Sequence, residues 1–126
     1  MIINFNDNMP IYIQIMNYVK ENIVNGSFQL GDKLQSVREF SKELRVNPNT
    51  LQRAYQELER DGIIFTQRGL GSFISKDKKI MEKLKEEMSR EIVQNFLDGM
   101  KKIGVKREDI LSLVKKELER EDTNNG

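Results

Sequence analysis

Apolar residues recur at helical steps along most of this chain, and after Gly62 that rhythm gives way to two β-prone runs. Following a polar lead-in, Ile11, Ile15, Tyr18, Val19 and Ile23 step by three and four and predict a helix with one apolar face. Pro10 precedes it and Gly26 is its expected C-terminal stop. Gly31-Asp32 reads as a turn, and Lys33-Leu34 has room for a very short strand. Val37, Phe40, Ser41 and Leu44 mark the inward face of a second helix. Leu51, Ala54, Tyr55 and Leu58 mark that of a third, stopped by Gly62. Residues 63–67 and 72–75 then flank Arg68-Gly69-Leu70-Gly71, which predicts a hairpin with a glycine-containing tip.

The second and third helices carry explicit start signals. Ser36 stands three residues before Glu39, the spacing of a capping box. Asn47 offers a second N-cap, and Pro48 takes the first helical position, where its missing amide costs nothing. Between the caps there is room for about two or three helical turns. A short helix, a tight turn and a longer helix make a helix-turn-helix, which presents the start of one helix to a DNA major groove. Followed by the hairpin, the order is that of a winged helix-turn-helix; the bland alternative is a small α+β domain with the same element order.

Beyond the polar hinge at residues 76–79, with Asp77 a possible cap, the pattern is helical again. Met81, Leu84, Met88, Ile92, Phe96 and Met100 follow three- and four-residue steps, Gly104 breaks the run, and a last helix is expected from about Arg107. Ile110, Leu111, Val114 and Leu118 fall on one side of it, and the tail at residues 121–126 is expected to fray. Each helix has one apolar stripe and a charged remainder, so the stripes need a partner surface. They can fold back on the preceding domain or pair with a second chain. The length of the stripe on the first of them favours pairing, with Met81, Leu84, Met88, Ile92, Phe96, Met100, Leu111 and Val114 as the seam. The expected class is mainly α with a small β-hairpin: a winged helix-turn-helix over 1–76 and a two-helix dimerisation appendage over 77–126.

Composition narrows the chemistry. The 126 residues contain neither Cys nor His, which removes disulfides, thiolate chemistry, the usual catalytic triads and a conventional zinc site. No glycine-rich phosphate loop appears, so no enzyme activity, cofactor or metal is expected. No apolar run approaches the roughly 18 residues of a membrane span, and no basic-then-apolar leader opens the chain. A soluble cytoplasmic protein is the expectation. A cavity between the winged domain and the following helices could bind a small-molecule effector, but no cluster of polar residues marks one, so the effector is left unknown.

Net charge is only +1, so global charge does not announce nucleic acid. Its arrangement is more telling, because Lys33, Arg38, Lys42, Arg45 and Arg53 crowd into the helix-turn-helix against Asp32, Glu39 and Glu43. Taking Ala54 as the buried centre of the third helix, at about 100° per residue, Asn49, Gln52 and Gln56 fall on the far side and Arg53 on a flank. Asn and Gln pair in bidentate fashion with adenine and Arg with guanine, so this face suits reading base edges. Asn47 and Thr50, near the helix start, suit phosphate contact helped by free amides there. Ser36 caps the second helix, and Arg38 behind it can reach backbone phosphate or a nearby base; its bland reading is an exposed salt bridge, for instance with Glu57. At the hairpin tip, Gly69 permits close approach and Arg68 is drawn to a narrow minor groove. The bland reading of the polar face is solvation alone, leaving a winged-helix protein–protein interaction module as the alternative.

At these residues the chain resembles the GntR family of bacterial transcription regulators. The motifs are Pro10-Ile11-Tyr12 with Gln14-Ile15, Gly31-Asp32-Lys33-Leu34, Ser36-Val37-Arg38-Glu39, Val46-Asn47-Pro48-Asn49-Thr50, Ala54-Tyr55 with Leu58-Glu59, and Gly62 followed by Arg68-Gly69-Leu70-Gly71-Ser72-Phe73. The likeness spans about residues 9 to 75. It implies operator contact by Arg38, by the start of the third helix and by Gly69. Gln35 replaces the family's usual proline, implying a less rigid approach to the second helix, and Phe40-Ser41 replaces its usual Leu-Ala. The C-terminal part of about fifty residues resembles the YtrA-like subgroup with its two-helix appendage. That resemblance implies a homodimeric repressor of an ABC-transporter type operon, bound to double-stranded operator DNA.

Overall fold

The computed structural model describes residues 3–125. Its elements run α1 (Ile11–Val24), α2 (Val37–Leu44), α3 (Pro48–Arg60), β1 (Ile64–Gln67), β2 (Gly71–Ile74), α4 (Lys78–Lys102) and α5 (Arg107–Asn125). By internal contacts the chain divides into two units, Met1–Glu86 and Glu87–Gly126, a division that falls inside α4.

In the first unit, α1 and α2 both pack against α3, and α3 packs against β1. Ile15, Val19, Leu44, Leu51, Ala54, Leu58 and Ile74 are buried at the centre of this unit. All but Ile74, which lies on β2, are positions that the three- and four-residue steps single out, because every third or fourth residue of a helix returns to the same face. α3 ends at Gly62 with φ 76°, where the amides of Gly62 and Ile63 bond back to the carbonyls of Glu59 and Leu58. Glycine tolerates this left-handed turn without a Cβ penalty, and the chain leaves directly into β1.

β1 and β2 pair antiparallel, Ile64 opposite Ile74 and Phe65 opposite Phe73, whose rings stack at 5.6 Å. The short strand expected at Lys33-Leu34 is a single bridge, Lys33 to Phe73, flanked by a bond from the Leu34 amide to the Ser72 carbonyl at 2.9 Å.

The lead-in is more than a polar tail. Ile3 is buried, and the buried Gln14 side chain accepts from the Asn6 amide at 3.0 Å. The same side chain donates to the carbonyls of Asn6 and Met9 at 2.9 and 2.8 Å. One amide side chain thus satisfies three backbone groups and holds residues 6–9 against α1.

Asp77 caps α4, its Oδ1 accepting from the Lys79 amide at 2.9 Å. The first turns of α4 belong to the first unit, with Met81 and Leu84 buried. In the second unit α4 ends at Gly104, φ 79°, with the Val105 amide bonding to the Met100 carbonyl at 3.0 Å. The tail expected to fray from residue 121 instead continues α5 to Asn125. α5 has no buried residue.

Candidate nucleic-acid interface

The helix-turn-helix is fixed by its caps. Ser36 Oγ accepts from the Glu39 amide at 3.1 Å and opens α2; Asn47 Oδ1 accepts from the Asn49 amide at 2.8 Å and opens α3. Between them Arg45 has φ 58° and is, among the described residues, the single non-glycine residue with positive φ. It closes α2, with the Val46 amide bonding to the Ser41 carbonyl at 3.0 Å. Tyr55, buried in α3, donates its hydroxyl to the Gln35 carbonyl at 2.7 Å. The approach to α2, expected to loosen without proline, is therefore tied to α3 by a side chain.

On α3, Asn49, Gln52 and Gln56 are exposed while Leu51, Ala54, Tyr55 and Leu58 are buried, the face assignment expected from the helical angle. Thr50 is half-buried. Arg53 is exposed, and its guanidinium carbon sits 3.9 Å from the centre of the Tyr12 ring. Ser36 and Arg38 are exposed at the start of α2. Among the described residues no carboxylate forms a salt bridge with Arg38, and Glu57 pairs with Arg60 at 3.1 Å.

One expectation is corrected. The amides at the start of α3 are not free, because Asn49 bonds to Asn47 Oδ1 while Thr50 and Leu51 bond to the Asn47 carbonyl at 2.9 and 3.2 Å. Asn47 acts as a cap, and Pro48 has no amide to offer. The polar reach of this helix start is left to side chains.

At the hairpin tip the Leu70 amide bonds to the Gln67 carbonyl at 2.9 Å across Arg68 and Gly69, and Gly69 has φ 81°. Glycine with positive φ at the third position of such a turn is the type II pattern. A Cβ placed on Gly69 meets nothing within 4 Å, so the tip is open to an approaching surface. Arg68 and Leu70 are both exposed there. The hairpin is tied to α3 by Glu59 Oε1, which accepts from the Thr66 amide at 3.2 Å.

The expected seam divides in two. Met81 and Leu84 are covered by their own unit, and Met81 shares a shallow hollow with Ile23, Val24 and Leu30, so these two residues are withdrawn from the intermolecular set. Their apolar surface is consumed at home. Further along, Met88, Met100 and Val114 are half-buried, whereas Ile92, Phe96 and Leu111 are exposed at 67%, 40% and 81%.

Tyr12, Gln14, Gln35 and Tyr55 all stand in the sequence motifs, but what the motifs do not reveal is the Tyr12–Arg53 contact, the Gln14 bonds to the lead-in and the Tyr55–Gln35 tie. Gln14 had a usable signal: a polar residue three positions after Ile11 and beside Ile15 lies in the apolar stripe and so needs internal partners.

A capped helix-turn-helix followed by a glycine-tipped antiparallel hairpin defines a winged helix-turn-helix protein. Residues 11–74 match the pattern described as bacterial regulatory proteins, gntR family. The chain is 41% identical over 111 residues to the uncharacterized HTH-type transcriptional regulator YhcF of Bacillus subtilis, covering 88% of this chain and 92% of that protein. It is 42% identical over 97 residues to the HTH-type transcriptional repressor YtrA of the same organism, covering 72% and 75%. Among solved structures, a GntR family transcriptional regulator from Listeria monocytogenes superposes with TM-score 0.82 at 46% identity, covering 89% and 98%. The chain belongs to the GntR family: it is a DNA-binding transcription regulator, and its relatives are regulators rather than enzymes. No helix among the described residues is long and apolar enough to cross a membrane.

Proposed function

We propose that this regulator is a homodimeric repressor acting in the cytoplasm on an inverted-repeat operator, and that Asn49, Gln52 and Gln56 read its bases. The observation that carries the reading is the exposed face of hydrogen-bonding side chains on α3, an element held rigid by the Tyr55 and Glu59 bonds. A reading helix must present its side chains from a fixed backbone, because bidentate pairing tolerates little misplacement. Ser36 and Arg38, with Asn47, Thr50 and Arg53, take phosphate contacts on either side, and Arg68 and Gly69 reach the minor groove. The winged unit binds DNA, and the helices from residue 87 onward form the dimer.

Dimerisation is supported by the apolar surface of the second unit. Ile92, Val93, Phe96, Ile103, Leu111, Leu113 and Leu118 are all exposed. Phe96, Met100, Leu113, Val114 and Leu118 line an open groove of about 460 Å³. A helix with nothing buried along its 19 residues has little to hold it folded in water, and a second copy supplies the missing surface. Repression is supported by the relative named as a repressor, YtrA, and a transporter-type target by the resemblance to its subgroup.

Selection of duplexes from a random pool by the full chain tests the reading. The expected product is a palindrome with half-sites about 34 Å apart, one DNA turn. Asn49→Ala and Gln52→Ala should each weaken binding by about 1–3 kcal/mol and relax the preference at one base pair per half-site. Recovered sequences without symmetry, or undiminished binding in both variants, would overturn it.

A further inference from the structure

We infer that Tyr12 is a positioning residue for DNA binding: its ring holds Arg53 on the flank of α3 so that the guanidinium meets a backbone phosphate. The proposal deepens the DNA-reading surface described above and rests on it. Three observations converge. Arg53 lies about 100° from the buried centre of α3, beside the base-reading face rather than on it, where a helix lying in a groove meets the phosphate wall. Its guanidinium carbon stands 3.9 Å from the centroid of a ring supplied by a different helix, at the second residue of α1. Among the described residues no carboxylate forms a salt bridge with Arg53, so its charge remains available to an anion.

The physical advantage is preorganisation. A free arginine loses much rotamer freedom when it fixes on a phosphate. Contact with the ring face restricts that freedom beforehand, while the N–H edge of the planar guanidinium stays open to an acceptor. Attraction to the ring and attraction to the phosphate use different parts of the same group and do not compete. Tyr12 is half-buried at the start of α1, next to the turn where Gln14 anchors the lead-in, so its backbone is held in place. Because α1 packs along α3, the Tyr12–Arg53 contact is set by the same packing that sets the reading helix.

The test is a double-mutant cycle on the full chain, read by gel shift across a salt series with a duplex that the wild type selects from a random pool. Tyr12→Phe, which keeps the ring, should bind as wild type does. Tyr12→Leu should weaken binding by about two- to fivefold, the effect of an exposed cation–π contact. Arg53→Ala should weaken it further and lower the salt slope by about one. In the Arg53→Ala background, Tyr12→Leu should cost nothing more. Arg53→Lys, which keeps the charge but loses the planar fork, should weaken binding with the slope retained; this variant carries the test if Tyr12→Leu does not fold. An equal loss from Tyr12→Leu in both backgrounds, equal damage from Phe and Leu at position 12, or wild-type binding by Arg53→Lys would each overturn the proposal. If Asn49→Ala and Gln52→Ala leave binding unchanged, the reading surface itself fails; if they weaken it while the cycle shows no coupling, only the positioning role fails.

Discussion

The Tyr55 hydroxyl donates to the Gln35 carbonyl at 2.7 Å, joining the middle of α3 to the residue before the α2 cap. This bond sets where Ser36 and Arg38 stand relative to α3. Tyr55→Phe keeps the ring and removes the bond, and is expected to lower stability by about 1 kcal/mol, the usual net worth of one such interaction. Urea unfolding of both proteins measures it, and a variant as stable as wild type would show the bond to be dispensable.

The same residue implies a pH dependence. Burial pushes the Tyr55 hydroxyl well above the ordinary tyrosine value of 10.0. In the unfolded chain the phenol ionises near that ordinary value, whereas the folded state keeps its proton. As pH rises past about 10 the folded state binds more protons than the unfolded one, so this group's contribution is complete below that pH and declines above it. Tyr18 shifts in the same direction through burial and the nearby Glu43 carboxylate. The wild type should lose stability between about pH 9 and pH 11, and Tyr55→Phe should lose less. Urea midpoints at those two pH values give the comparison, and equal losses would contradict it.

Arg45 stands at φ 58° between α2 and α3, a conformation that costs an L side chain more than it costs glycine. Arg45→Gly should raise stability by about 0.5–1 kcal/mol, lifting the melting temperature by a few degrees. A fall in melting temperature would mean that the arginine side chain contributes more than its backbone strain removes.

The helix-turn-helix and the hairpin were legible because their signals are local. Ser36, Asn47, Pro48 and Gly62 each act within one turn of the backbone, and the apolar steps of α1 to α3 declare which side is covered. What was not legible depends on distant partners. Tyr12 and Arg53 are far apart in sequence, as are Gln35 and Tyr55, and periodicity places each on a face without naming its neighbour. The stripe beginning at Met81 has one unbroken rhythm, yet its first two members are covered by their own unit and Ile92 and Phe96 are not. Helical spacing reports that a face is apolar and is silent about what covers it.

Arg38 is exposed at the second position of α2, and among the described residues no carboxylate forms a salt bridge with it. As a phosphate ligand it should contribute one released counterion. Arg38→Ala is expected to weaken operator binding and lower the slope of log affinity against log salt by about one. Gel shifts over a salt series measure the slope, and an unchanged value would remove Arg38 from the phosphate contacts.

Two substitutions on α4 separate intramolecular from intermolecular burial. Leu84 is buried within the first unit, so Leu84→Ala should destabilise the fold by about 2 kcal/mol or more and leave the oligomeric state unchanged. Phe96 is 40% exposed in the single chain and lines the groove with Leu113 and Leu118, so Phe96→Glu costs little there. Against a second copy the same change buries two carboxylates without partners, once from each chain, and should produce monomers. Sedimentation of the two variants at one protein concentration distinguishes them. Dimers persisting in Phe96→Glu would move the seam off this face of α4, and monomers in Leu84→Ala would extend the seam back toward the winged unit.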